Sequence, residues 1–490
     1  MSAGVDGERE LPAGWAWVRL DQVCDVTGGI QKQAKRRPVE NKFPFLRVAN
    51  VGRGSLDLWD VHEIELFDGE LERFRLEPGD LLVVEGNGSP EQIGRAAMWR
   101  GAIKDAVHQN HLIKVRPTSV IDPRFLELLW NSPDISAQLT RVAQSTSGLY
   151  TLSTSKLNRV EFGLPPLAEQ HRIVEVLEEQ LSRLDVAERE VHRSVHRVSR
   201  VWDSVRNAAA QGGLNGFSAN SRDYRVDEIA TVSGGIQKQK KRIPVENKFP
   251  FLRVANVGAG ELDLAEMHEI ELFDGELEKH RVEKGDLLVV EGNGSPGQIG
   301  RAAMWHGQIC DAVHQNHLIR VRPSRQILPE YLELIWNSPL VVDQLRRVAR
   351  STSGLYTLST SKVKSVTIPV PGIGDQKKLI DEAGNWKSYL AAAGGSLQLA
   401  ATRSKSLRVA LLRQAFSGEL VYQNPKDESA SVLLGRITAE RAAKAKGKYV
   451  RKVTPKKLAK PPAPRAAEAS ASAPEPTPAP TLAVQQEFDL

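Results

Sequence analysis

One feature constrains this chain more than any other: a long stretch of it occurs twice. GGIQKQAKRRPVENKFPFLRVANVG begins at Gly28, and GGIQKQKKRIPVENKFPFLRVANVG begins at Gly234, an offset of 234 − 28 = 206 residues. The offset holds without a gap at LLVVEGNGSP (Leu81 and Leu287), DAVHQNHLI (Asp105 and Asp311) and STSGLYTLSTSK (Ser145 and Ser351). From Gly28 to Lys156, 29 of 129 positions differ, which leaves 129 − 29 = 100 identical. Solenoid repeats run about 20–50 residues, so this period means two copies of a complete domain. A chain of 490 residues also exceeds what one core supports.

Each copy reads as mixed α/β. FPFLRV (Phe43 to Val48), DLLVVEG (Asp80 to Gly86) and HLIKVRP (His111 to Pro117) are short apolar runs bounded by Gly, Pro or Asn, the pattern of strands. From Asp122 the sequence DPRFLELL predicts a helix, with Asp122 as its cap and Pro123 in the first turn. The intervening stretches GGIQKQAKRR, EGNGSPEQIGR and STSGLYTLSTSK are polar and rich in Gly, Ser and Gln, the makings of ligand-presenting loops.

A different segment follows each copy. After Pro166, more than forty residues run without Gly or Pro, and Leu177, Leu181, Leu184, Val191, Val195, Val198, Trp202 and Val205 recur at steps of four and three, with Glu188 the polar interruption. That is a coiled-coil seam. After Pro371 a second seam runs Leu379, Ala383, Trp386, Leu390, Ala393, Leu397, Ala400, Ser404, Leu407, Leu411, with Gly394-Gly395 as a weak point. The expected class is α+β: two mixed α/β domains separated by two long antiparallel coiled-coil helices in a pseudo-twofold arrangement. The expected boundaries are 1–165, a helix over 166–214, a second domain over 215–370, a second helix over 371–423, and a disordered Lys/Ala/Pro-rich tail over 424–490.

Charge says little about the domains. Of 66 basic and 60 acidic residues, 12 and 7 lie from Asn424 onward, which leaves 54 against 53 before it. Any nucleic-acid claim must rest on local patches. Cys24 and Cys310 do not occupy matching positions in the repeat, so neither a disulfide framework nor a zinc site is supported. No run approaches the length of a membrane helix and the first residues carry no apolar signal core, so a reducing, cytoplasmic setting is expected.

The sequence shows no P-loop, no Asn/Asp-Pro-Pro-aromatic motif, no G-x-S-x-G elbow and no HExxH. His108 and His111 in VHQNHL lack the further ligands that complete a metal site, and contact with nucleic acid or strand capping accounts for them better. No catalytic constellation emerges, and no metal or cofactor is expected on this chain.

At this point the residues carry a family likeness. LPAGWAWVRLDQVC from Leu11, SGLYTLSTSKLNRVEFGLPPLAEQHRIV from Ser147 and LRQAFSGELV from Leu412 resemble specificity (S) subunits of type I restriction–modification systems. So does the order domain, long helix, domain, long helix. The likeness covers about Leu11 to Gln423. It departs at the second linker, where PVPGIGDQKKLIDEAGNW replaces PPLAEQHRIVEVLEEQL. The resemblance implies that each domain is a target-recognition domain reading half of a split duplex DNA target. It implies that the helices fix the distance between halves, and that two methyltransferase (M) subunits dock on the chain. Restriction/translocase (R) subunits driven by ATP can join them. S-adenosylmethionine, ATP and Mg would then sit on partners, and this chain would supply targeting alone, with no membrane role.

Candidate base-reading amides are Gln31, Gln33, Asn50, Asn87, Gln92, Gln109 and Asn110, repeated as Gln237, Gln239, Asn256, Asn293, Gln298, Gln315 and Asn316. Each can bond an adenine edge twice, as Arg47 and Arg95, with Arg253 and Arg301, can bond guanine. Lys32, Lys35, Arg36, Arg37 and Lys156, with Lys238, Lys241, Arg242 and Lys362, suit phosphates. Ser89, Ser145, Thr146, Ser147, Tyr150, Thr151, Ser153 and Thr154 suit either, as do Ser295, Ser351, Thr352, Ser353, Tyr356, Thr357, Ser359 and Thr360. His108 and His314 complete the set. Turn and cap duty is the competing role for each. Because the copies agree through these loops, an antiparallel rod would relate two equal readers by a twofold and select an interrupted palindrome. Differences such as Arg53/Ala259, Phe74/His280 and Ser136/Val342 leave room for a small asymmetry. Two other readings stay open: a nuclease with an unrecognised site, and a protein-binding scaffold with two equal heads.

Overall fold

The computed structural model describes residues 10–86, 92–143, 151–292, 298–349 and 357–450. It is an α+β chain. In the first unit, strands Cys24–Gly28, Leu112–Pro117, Leu81–Val84 and Ala96–Met98 lie side by side in that order, all antiparallel. A smaller sheet places Lys42–Leu46 between His62–Glu65, antiparallel, and Val107–His108, parallel. The second unit repeats both sheets with strands 206 residues further on.

The run LLVV reads as unbroken apolar sequence because both faces of its sheet are covered. Leu81 and Val83 point into a core with Phe125, Leu126 and Trp130 from the helix Pro123–Trp130. Leu82 and Val84 point the other way, into a cluster with Leu46, Trp99 and Leu112. The Asp122 side chain caps that helix by accepting from the Arg124 backbone N–H at 2.7 Å. A third cluster, Ile30, Phe45, Ile64, Leu66, Phe74 and Val107, lies beneath residues 31–41.

Two long helices, Leu167–Ala210 and Ile373–Ser417, run side by side in opposite senses: Arg408 meets Asp185 while Ser404 meets Glu188, and the opposite ends meet where Trp386 donates to Asn215. The polar residue in each predicted seam therefore finds the other, Ser404 Oγ donating to Glu188 Oε1 at 2.8 Å. Gly394-Gly395 does not interrupt the second helix. Leu407, expected in its seam, is 55% exposed, and the covered line runs instead through Ser404, Leu412 and Ala415. A straight helix turns every 3.6 residues and so drifts off a strict four–three repeat.

The expectation of disorder from residue 424 is corrected in part. Ala430–Val450 is a helix, and Ala430, Leu433 and Ile437 are buried in the core of the first unit. Spacings of three and four put these three on one face, which is what anchors an otherwise Lys/Ala-rich segment. Arg441 donates to the carbonyls of Asp21 and Gln22, and Ala430 N–H donates to Gly14 O. Residues 451–490 lie outside the described residues.

The two long helices begin with one shared device despite their divergent linkers. Gln170 is buried, accepts from Asp122 N–H and donates to the carbonyls of Val120 and Pro165. Gln376 makes the same set with Leu328, Gln326 and Pro371.

Candidate nucleic-acid interface

Segments far apart in sequence meet on one surface. Ile30 N–H donates to His108 O and Asn110 N–H donates to Ile30 O, both at 2.9 Å, so Gln31 lies beside Gln109 and Asn110. Only glycine permits this approach at position 29, where a Cβ would stand 2.3 Å from Gln109 O; Gly235 stands equally close to His314 and Gln315. His111 Nδ1 donates to Glu85 at 3.0 Å, Glu85 O accepts from Leu152 N–H, and Gly86 bridges Thr151. The GGIQKQ and VHQNH motifs thus meet Glu85, Gly86, Thr151 and Leu152 on one surface, and in the second unit their counterparts meet Glu291 and Leu358.

Among the described residues of this surface, the loop of residues 31–41 stands well exposed. Gln31, Lys32, Gln33, Lys35 and Arg37 are exposed on it. Arg36 is not: it forms a two-pronged pair with Glu70, 2.7 Å on each prong, and its guanidinium lies 4.9 Å from the Phe67 ring centre. The Arg36 guanidinium holds the Glu70 carboxyl down at about 2. Glu65 accepts from the backbone N–H groups of Val39, Glu40 and Asn41 at 2.7, 3.2 and 2.8 Å, and these bonds lower its carboxyl below the usual range. A concavity of about 800 Å³ opens beside the loop, lined by Lys32, Gln33, Arg37, Phe45 and His62 among others. The second unit has its counterpart of about 600 Å³, lined by Lys238, Gln239, Phe251 and His268.

Several candidates are corrected by what their groups already do. Asn50 is buried; its oxygen accepts from Arg47 N–H and its nitrogen donates to the carbonyls of Asp57 and Asp60, so no edge is left for a base. Asn256 is held in the same way, by Arg253, Asp263 and Glu266. Arg95 spans the carbonyls of Val51, Val48 and Gln92, and Arg301 those of Val257, Val254 and Gln298. Arg36 and Arg242 are committed to Glu70 and Glu276. Lys156 Nζ donates to Ala143 O and Thr151 O, as Lys362 does to Ala349 and Thr357. Ser153 and Ser359 cap the short helices that carry Thr154 and Thr360. Arg47 leans on Asp60 at 2.7 Å, and Arg253 reaches Glu266 at 4.0 Å.

His108 and His314 are fully buried, and each donates from Nδ1 to a carbonyl, Leu112 or Leu318, at 3.0 Å. Burial pushes their imidazoles down to about 4 and about 3. Their Nδ1 bonds tie both rings into the fold. Among the described residues no three His, Cys, Asp or Glu side chains form a metal-ligating group. Cys24 and Cys310 are both free. Gln92, Gln298, Gln109, Gln315, Asn110, Asn316, Thr151 and Thr357 stay at the surface or half-buried. Asn87, Ser89, Ser145, Thr146, Ser147, Tyr150, Asn293, Ser295, Ser351, Thr352, Ser353 and Tyr356 lie outside the described residues. Glu65 and Glu70 are absent from the sequence-based candidates, because ELFDGELE looks like an ordinary solvated acidic turn.

Known proteins share both the sequence and the fold. Residues 12–190 match the family model described as the type I restriction modification DNA specificity domain. The chain is 25% identical over 476 residues to the type I restriction enzyme EcoKI specificity subunit of Escherichia coli K12, covering 92% of this chain and 100% of that one. It is also 25% identical over 472 residues to the StySPI specificity subunit of Salmonella potsdam, covering 90% and 99%. A solved structure described as the basis of complex assembly and conformational transition of the type I R-M system shares the fold with a TM-score of 0.64 and 19% identity, over 84% of this chain and all of that one. Residues 12–190 thus carry a match to the type I specificity domain, and over nearly its whole length the chain is similar to specificity subunits of type I restriction–modification systems.

Proposed function

We propose that this chain reads DNA for a type I restriction–modification assembly, and that its two units read the same bases in opposite orientation. The observation that carries this reading is the repetition of one preformed, exposed loop: Gln31, Lys32 and Gln33 in the first unit, Gln237, Lys238 and Gln239 in the second. Amides suit adenine edges and lysines suit phosphates. The two long helices act as a coiled-coil spacer, and their antiparallel packing supplies the local twofold that relates the units. Equal readers about a twofold select an interrupted palindrome.

In this reading the chain makes and breaks no bonds. Two methyltransferase subunits bring S-adenosylmethionine and methylate adenine at N6. ATP-driven restriction subunits, with Mg, act on the same targeting. The assembly works in the cytoplasm. Among the described residues no helix is long and apolar enough to cross a membrane.

The test is selection from a pool of duplexes of randomised sequence, using the chain with its methylating subunits, across a salt series. The expected result is one enriched split sequence whose halves are inverted copies. Binding that weakens with salt but never enriches a sequence would leave phosphate attraction alone and remove the reading.

A further inference from the structure

We infer that Glu65 and Glu70, with Glu271 and Glu276 in the second unit, are positioning residues for base reading: acids that hold the exposed 31–41 and 237–247 loops in the shape that meets DNA. This inference rests on the DNA reading above. On electrostatic grounds a carboxylate beside a phosphate-contacting loop is unwelcome, since it repels the backbone the lysines attract. The geometry supplies the reason for its presence.

The loop has few anchors of its own. Residues 34–36 form a single 3-10 turn with no side-chain cap, and residues 31–33 and 37–41 have no regular structure. Three side-chain anchors compensate. Glu65 closes over three consecutive backbone N–H groups, those of Val39, Glu40 and Asn41. Glu70 grips both outer nitrogens of Arg36 and also accepts from Phe67 N–H at 2.9 Å. Phe67 lies under both cations of the turn, 4.9 Å from Arg36 and 5.8 Å from Lys35.

The second unit repeats the lock almost to the tenth of an ångström. Glu271 accepts from Val245, Glu246 and Asn247 at 2.7, 3.1 and 2.8 Å; Glu276 grips Arg242 at 2.7 Å on both prongs; Phe273 lies 5.0 Å from Arg242. The copies differ within the loop at Ala34/Lys240 and Arg37/Ile243, yet every member of the lock is the same in both. A loop fixed before binding does not lose its freedom on binding, so its contacts go to affinity and register. A loose loop keeps its charges and still sticks to any duplex.

Two double variants of the full chain, each assembled with the methylating subunits, separate these roles. Glu70→Gln with Glu276→Gln removes two negative charges, and charge alone would then tighten all DNA binding. Arg36→Lys with Arg242→Lys keeps the charge and removes the two-pronged grip. The measurement is the affinity for the duplex enriched from the random pool divided by that for a duplex of unrelated sequence, with thermal unfolding followed in parallel. Both variants are expected to lower that ratio tenfold or more. Binding to the unrelated duplex should hold or tighten in the glutamate variant, with unfolding nearly unmoved. A ratio that survives in either variant overturns the inference and leaves the DNA reading standing. So does an equal loss on both duplexes with a lowered unfolding temperature, which is what a merely structural pair would give. An unaltered chain that enriches no sequence overturns both.

Discussion

The two units present the same loop in different frames. Their loops carry three exposed cations each, but not at the same places: Lys32, Lys35 and Arg37 in the first, Lys238, Lys240 and Lys241 in the second. Near the long helices the first unit has Arg53, bonded to Ser136, where the second has Ala259 and Val342. Trp59 is 96% exposed, and its counterpart is Ala265. Their cores close differently too. Phe125 meets Phe416 edge-on at 5.6 Å, and the helix Ala430–Val450 straps the first unit. In the second unit Tyr331 replaces Phe125 and its single hydroxyl proton lies between Ala209 O and Pro369 O, each 3.3 Å away, while a short hairpin, Gly213–Ser218, covers the helix end. What differs is support and charge placement; what is common is the presentation of Gln, Lys and Gln. The proposal of equal reading therefore does not require equal stability.

The comparison breaks most visibly if one reader is disabled. Gly29→Ala or Gly235→Ala drives a Cβ into a carbonyl, a clash of the kind that costs about 1–3 kcal/mol or more. Under the proposed split target, which needs both halves, either variant alone should abolish target binding to the same degree, measured by affinity for the selected duplex. Unequal losses would show that one unit dominates.

Next in size are changes to the strap. Leu433→Ala and Ile437→Ala should each cost about 2 kcal/mol or more, and in the first unit alone. Amide exchange would report it: the strand Cys24–Gly28 should lose protection while Ala230–Gly234 keeps its own.

Acid sharpens the comparison in the opposite direction. His108 and His314 are neutral when folded, with folded values of about 4 and about 3 against 6.5 for the free side chain. Below 6.5 the unfolded chain takes up the proton and the folded chain does not. Stability is therefore full above pH 6.5 and is lost as pH falls toward about 4 in the first unit and about 3 in the second. Unfolding temperatures should drop between pH 6.5 and 5, and His108→Gln with His314→Gln should flatten that slope.

A smaller effect is expected for Tyr331→Phe, about 1 kcal/mol from one long, shared hydrogen bond, confined to the second unit. The smallest is the exchange Arg37→Ile with Ile243→Arg. It moves one candidate phosphate contact from one unit to the other, so overall affinity should hold. Either single change should alter the salt slope by about 0.9.

Much of this was legible in the residues. The repeat marked two units, LLVV marked a strand and Asp122-Pro123 marked a helix start; Glu188 stood out as the polar interruption of its seam, but its partner Ser404 was visible only in the fold. What escaped were features made by distant pairs. Asn50 and Arg95 look like base readers until the fold surrounds them with carbonyls. Glu65 and Glu70 look idle until the loop folds back onto them. The stripe Ala430, Leu433, Ile437 was hidden because Lys and Ala dominate the composition around it. Side-chain type announces what a residue is able to bond, and only the fold decides whether that capacity is already used.

The central claim, that two equal readers face an inverted repeat, is tested most directly by mapping N6-methyladenine across the genome of cells expressing this chain with its methylating subunits. The account predicts one interrupted palindrome, methylated on both strands. An asymmetric split site would contradict it, and would place the reading in the 29 positions at which the copies differ.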